Sequence, residues 1–314
     1  MRLTTASGIG LSGLPRLTTT VPKEYVHRAS LAEVFLTGCT THDDLRFSLT
    51  GQWPRAHTHF NSSDGTSHDP LQAAETFRQA SIFMAHTALD VPLGHQFVMW
   101  NLSYTTDPDG LRIASSPTDF DIEARCIELV HRKEAVSRIR MDLSLHRDGV
   151  LVAHGATEYG PLPPAVYARI RARRTVPVPE ADGGTTPDSS PLPPAYVGRS
   201  SAADVVLTAT DTPRRWLLTP NLDHPILFDH GADHVPGMVL MEGARQAASA
   251  LVGPRSFIPA SASSNFRRYV ELDRPCWIDI TQVASESGST MTVEVTGHQD
   301  GESVFTSTLT GPVS

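Results

Sequence analysis

The pattern of apolar and polar positions divides this chain into two halves that run in the same order. Alternation with period two opens each half as a strand, over residues 44–53 in the first and over 204–210 with 215–218 in the second. A histidine-bearing loop follows, with His57, His59 and Phe60 in one half and His224, Leu227 and Phe228 in the other. Each loop leads into a stretch of helical spacing that is apolar nearly all round, over about residues 71–88 and 238–252. A helix without a polar face is a buried helix. Further strands come next: 96–104, 120–131, 136–146 and 150–159 in the first half, and 265–272, 276–284, 290–298 and 303–310 in the second. The last two of each half meet at the same turn, Asp148-Gly149 and Asp300-Gly301, and Asp-Gly between alternating runs is a strong hairpin signal.

One buried helix with a following antiparallel sheet is an α+β layer arrangement. A curved sheet wrapped around a central helix is the hotdog fold. Two tandem copies give a double hotdog, an internal pseudo-dimer that stands in for the usual homodimer and removes the need for a partner chain. The expected division is a flexible tail over 1–22, a first hotdog domain over 23–160, a linker over 161–203 and a second hotdog domain over 204–314. The linker holds nine of the 24 prolines, which disfavour helix interiors. Its segment 181–190 has the polar Gly/Thr/Ser composition of a flexible tether, and a short helical turn is expected over 166–173.

Each central helix carries the same polar insertion. Glu75, Arg78 and Gln79 recur as Glu242, Arg245 and Gln246, at a constant offset (242 − 75 = 167). Each set follows a His-x-Pro, at His68 and His234. A Glu–Arg pair three apart is usually an ordinary surface ion pair. Here it sits among apolar residues in both halves, and burying such a pair is costly unless the charges are matched or used. His57 and His224 share the same offset, which points to a shared role in orienting their loops.

Composition narrows the chemistry. The 314 residues are 39% hydrophobic and 19% charged, with a net charge of −8, which gives no electrostatic footprint for nucleic acid. No apolar run reaches the ~18 residues of a membrane span, and the first 22 residues lack the apolar core of a signal peptide. Three cysteines without metal or redox spacing fit a reducing cytoplasm. No zinc-binding pattern or serine-hydrolase elbow is present, so neither a metal nor another cofactor is expected.

The segment 227–242, with Pro236-Gly237 ahead of Glu242 and His230 or His234 before them, resembles the active-site region of hotdog hydroxyacyl-carrier-protein dehydratases, which have no counterpart to Arg245. A closer resemblance is to the A-factor synthase (AfsA-type) family. It is carried by residues 21–28, Arg46-Phe47-Ser48, His68-Asp69-Pro70-Leu71, 74–80, 91–97, 233–238 and Glu242 with Arg245-Gln246-Ala247. That resemblance implies transfer of a β-ketoacyl group, from acyl carrier protein or CoA thioester, to the hydroxyl of dihydroxyacetone phosphate. The implied product is a phosphorylated β-keto ester, a precursor of γ-butyrolactone-type signals.

Such a transfer needs a base and a stabilised oxyanion. Glu242, its pKa expected to rise by desolvation, is the candidate base. Arg245 is the candidate phosphate anchor. His230 or His234 is expected as acid–base group or oxyanion donor, and Gly237 opens a helix whose free amides face the thioester carbonyl. His68, Glu75 and Arg78 form either a second site or the other part of a shared one. Arg169, Arg171, Arg173 and Arg174, or alternatively Arg267 and Arg268, are candidate docking surfaces for an acidic carrier. A dehydratase, a thioesterase or a non-catalytic acyl-binding module are the rival readings.

Overall fold

In the computed structural model, residues 18–173, 190–286 and 289–314 are described. Residues 1–17 of the tail expected over 1–22, most of the flexible tether and Arg174 lie outside them. In the first half, β1 (Leu36–Asp43) and β2 (Arg46–Trp53) precede α1 (Pro70–Thr87), and β3 (Gln96–Thr106), β4 (Thr118–Arg132), β5 (Ala135–Arg147) and β6 (Val150–Leu162) follow it. The helix α2 (Pro164–Ala172) comes next. The second half repeats the order with β7 (Leu207–Ala209), β8 (Arg215–Leu218), α3 (Gly237–Val252), β9 (Ser261–Phe266), β10 (Trp277–Glu286), β11 (Thr290–Gln299) and β12 (Glu302–Pro312).

The twelve strands of the described residues join one antiparallel sheet in the order β1-β2-β4-β5-β6-β3-β9-β12-β11-β10-β8-β7. The halves meet edge to edge where β3 pairs with β9, Asn101 opposite Asn265 and Thr105 opposite Ser261. Each half wraps its own central helix, and the fold is a double hotdog. Helix α1 starts where Asp69 accepts a hydrogen bond from the Leu71 amide at 2.9 Å and Pro70 takes the first turn. Helix α3 starts at Pro236, whose side chain caps nothing. Both helices are buried along most of their length, packed against the sheet and against the short helical turns of their own halves. Both Asp-Gly turns carry positive φ at the two central residues, as a tight hairpin requires (51° and 76°, then 54° and 73°). Among the described residues no helix is long and apolar enough to cross a membrane.

Three details depart from expectation. The opening strand of the first half is a hairpin, because β1 precedes β2. Only Leu36 of β1 is buried, so it carries no alternation. Strand β9 lies earlier than 265–272, because its inward positions are the small Ala262 and Ser264. Finally, both described ends of the linker are folded. Beyond α2, residues 191–204 pack on the second half: Leu192 donates to the Leu207 carbonyl, and short helical turns form at Pro194–Val197 and Ala202–Asp204. These turns repeat Lys23–Val26 and Leu31–Glu33 of the first half.

Candidate active site

On α1, positions 75, 78 and 79 share one helix face, so Glu75, Arg78 and Gln79 meet. Arg78 donates to both carboxylate oxygens of Glu75 at 2.8 Å, and Gln79 donates at 2.8 Å. A second guanidinium, that of Arg28, arrives from the turn before β1 and lies 2.6 Å from the same carboxylate. The arrangement repeats in the second half. Glu242 accepts from Arg245 at 2.7 and 2.9 Å, from Gln246 at 2.5 Å and from Arg199 at 2.5 and 2.8 Å. An aspartate completes each group, Asp69 at 3.0 Å from Arg199 and Asp229 at 4.0 Å from Arg28. Two arginines and two carboxylates cancel, which is the condition for burying them together.

These clamps also tie the halves together. Arg28 donates to the Ile226 carbonyl at 3.0 Å, and Arg199 donates to the His59 carbonyl at 2.6 Å, in each case across to the opposite half. The two loops are held alike. His57 Nδ1 accepts from the amides of His59 and Phe60, and His224 Nδ1 accepts from those of Ile226 and Leu227. The shared orienting role of His57 and His224 is what the geometry gives. His224 and His59 both meet Asp204, at 2.8 and 3.0 Å. These three offer ligand atoms close enough for a cation. Both histidines are already engaged with Asp204, however, and burial and Arg199 push the His59 pKa down, so a neighbouring guanidinium disfavours a cation there.

The clamp of the first half borders a cavity. A cavity of about 300 Å³ lies between the halves, lined by His27, Arg28 and Arg78 from the first and by His230, His234 and Gly237 from the second. Its apolar wall includes Ile82, Phe97, Leu102, Leu227, Met241 and Phe266. Arg78 spends Nε and Nη2 on Glu75 and the Val26 carbonyl, which leaves Nη1 without a partner among the described residues. His234 is anchored: Nδ1 lies 2.7 Å from Asp233 Oδ1, Tyr167 of α2 donates to that oxygen at 2.6 Å, and Arg171 of α2 bridges Asp233 and Glu271. A Cβ on Gly237 would lie 3.1 Å from Phe266, so glycine lets the start of α3 sit against this wall. A larger open groove of about 1160 Å³ runs beside the end of the β4–β5 hairpin, but no clamp residue lines it.

The structure therefore brings Arg78, His230, His234 and Gly237 around one cavity, with Glu75 behind Arg78. It leaves Glu242, Arg245 and His68 elsewhere. His68 is buried against Trp53 and hydrogen-bonded to Thr118 at 3.0 Å, and burial lowers its pKa to about 4. The expectation for Glu242 reverses in sign. Burial alone would raise its pKa, but Arg199 and Arg245 hold the carboxyl well below the usual range. Glu75 behaves likewise: burial opposes ionisation, while Arg28, Arg78 and Gln79 bring it to about 2. Both are clamped carboxylates rather than bases poised near neutrality. Arg245 makes the same contacts as Arg78, with Glu242 and the Val197 carbonyl, but it is 4% exposed and a Cβ on Gly198 would lie 3.2 Å from its Nη1, so burial and not bonding separates it from Arg78. The sequence reading passed over Arg199, although Tyr196-Val197-Gly198-Arg199 repeats Tyr25-Val26-His27-Arg28 at a constant offset (199 − 28 = 171).

A tandem hotdog with a buried carboxylate–arginine clamp in each half, and one cavity between the halves, is the class that fold and site define. The chain belongs to the AfsA family: the model of the A-factor biosynthesis hotdog domain matches twice, over residues 11–162 and 182–313. It is 43% identical to a 2-oxo-3-(phosphooxy)propyl 3-oxoalkanoate synthase of Streptomyces virginiae, over 92% of this chain and 96% of that one. It is 37% identical to the synthase of the same name from Streptomyces coelicolor, over 98% and 95%. Among solved structures, a 12:0-ACP thioesterase from Umbellularia californica shares the fold at a TM-score of 0.51 and 12% identity, covering 87% of this chain and 99% of that one.

Proposed function

We propose that the chain is an acyltransferase that moves a β-ketoacyl group from an acyl carrier protein or CoA thioester to the hydroxyl of dihydroxyacetone phosphate, giving a phosphorylated β-keto ester and a free thiol. The relatives' name supports the reaction. The observation that supports its location is a cavity with an apolar wall on one side and an arginine with a spare donor on the other. Arg78 Nη1 takes the phosphate, while Glu75 and the Val26 carbonyl hold the guanidinium in place. The acyl chain lies along Ile82, Phe97, Leu102 and Phe266. The first amides of α3, at Gly237 and Met238, have no intrahelical acceptor and serve the oxyanion formed at the thioester carbonyl, with His230 as a further donor. His234, held by Asp233, presents its other nitrogen to an amide of the donor's thiol arm. The hydroxyl proton passes to an imidazole of the cavity wall. In this reading the two halves act as an internal pseudo-dimer with one working site, and the enzyme operates in the cytoplasm.

The test is incubation with a β-ketoacyl thioester, with and without dihydroxyacetone phosphate, followed by mass spectrometry. Ester formation that requires both substrates supports the proposal. Thioester loss without the phosphate points to a thioesterase, water loss from a 3-hydroxyacyl thioester points to a dehydratase, and binding without turnover points to an acyl-binding module.

A further inference from the structure

His27 closes the helical turn Lys23–Val26 with φ 52° and ψ 56°, the left-handed conformation. Its counterpart in the second half, Gly198, closes the turn Pro194–Val197 with φ 65° and ψ 32°. The backbone therefore needs the same bend twice. The second half meets it with the residue that tolerates it, and the first half places a histidine there. A non-glycine residue held in this region carries strain, and such strain collects at functional sites. The side chain gained by that substitution lines the cavity beside Arg78. Gly198 faces the closed clamp, where a Cβ would lie 3.2 Å from Arg245 Nη1.

The ring of His27 is set by a relay. His86 Nδ1 lies 2.8 Å from the Val91 carbonyl, which can only accept, so His86 carries its proton there. In the neutral ring His86 Nε2 is then an acceptor, and it lies 2.9 Å from His27 Nε2. His27 donates through Nε2, and its Nδ1 keeps a lone pair with no partner among the described residues. Phe97 packs against both rings, at centroid distances of 5.3 and 5.2 Å. By contrast the His230 side chain is 56% exposed, with no such relay to fix its tautomer.

We propose that His27 is the catalytic base of the transfer, its Nδ1 taking the proton of the acceptor hydroxyl; this rests on the acyl-transfer reading above. As the hydroxyl oxygen bonds to the thioester carbonyl carbon, the O–H proton moves to Nδ1. The tetrahedral intermediate collapses, the C–S bond breaks, and the departing thiolate takes that proton back, which leaves His27 neutral. Arg78 links this base to its substrate. Burial, Arg78, His86 and His230 all disfavour the imidazolium and bring His27 to about 3. A phosphate on Arg78 cancels part of that opposition and strengthens the base when the correct acceptor is bound. Arg28 and its partners Glu75 and Asp229 border the same cluster and complete its charge balance.

The experiment compares wild type with His27→Gly and His27→Gln. His27→Gly restores the residue that the second half uses, so its melting temperature should equal or exceed wild type while kcat falls by roughly a hundredfold or more, with KM for dihydroxyacetone phosphate within about threefold and partial rescue by added imidazole. His27→Gln should be equally slow. An active wild type with both variants within about threefold of its kcat overturns the assignment of His27 alone. A wild type that forms no ester overturns the acyl-transfer reading, and the assignment with it.

Discussion

Glu242 meets five donors within 2.9 Å, from Arg199, Arg245 and Gln246. A carboxylate so placed holds structure together, and removing its charge leaves Arg199 and Arg245 buried with only Asp69 to balance them. Glu242→Gln should therefore cost about 3–5 kcal/mol in urea unfolding, with activity per folded molecule largely kept. A loss below about 1 kcal/mol with turnover abolished would return Glu242 to a catalytic role. The glutamate, arginine and glutamine of each clamp were legible in the sequence because they lie within one helical turn and recur. Arg28 and Arg199 were not, because they reach their carboxylates from 47 and 43 positions away. Desolvation taken without the second guanidinium gives the wrong sign for the glutamate, because Arg199 and Arg245 together outweigh it.

Helix α2 shows what an element in a linker can do. It buries no residue of its own, yet Tyr167 and Arg171 fix Asp233 and, through it, His234 at the cavity wall. Arg171 also stacks over Tyr269 at 5.0 Å. Of the basic stretch considered for carrier docking, Arg171 is thus committed to this internal task. Arg171→Ala should free the 233–234 loop, lowering kcat by about tenfold through misplacement and speeding amide exchange at 233–235, with the KM for dihydroxyacetone phosphate nearly unchanged. Unaltered kcat and exchange would reduce α2 to a cover. The strands with strict alternation, such as β4, were legible from period two alone, and both central helices from their apolar circumference. Strands β1 and β9 were hidden because one is mostly exposed and the other fills its inward positions with alanine and serine, so neither shows the contrast that alternation depends on.

At the scale of the whole molecule, duplication has produced two clamps, the first of which borders the cavity between the halves. The twelve strands form a single sheet through β3 and β9, and each clamp reaches across to the opposite loop, so neither half completes its own interior. The second clamp is closely packed: Arg199 and Arg245 are each 4% exposed. The first opens at Arg78, with His27 where the second has Gly198. Duplication was legible from repeated motifs, but which copy opens was not, because closure depends on side chains that converge from both halves. The most direct test is calorimetric titration of the full chain with dihydroxyacetone phosphate, in parallel with Arg78→Lys, which keeps the charge and loses the planar fork. One molecule bound per chain, weakened at least about tenfold by Arg78→Lys, is the predicted result. Two molecules per chain, or an affinity that Arg78→Lys leaves unchanged, would contradict it.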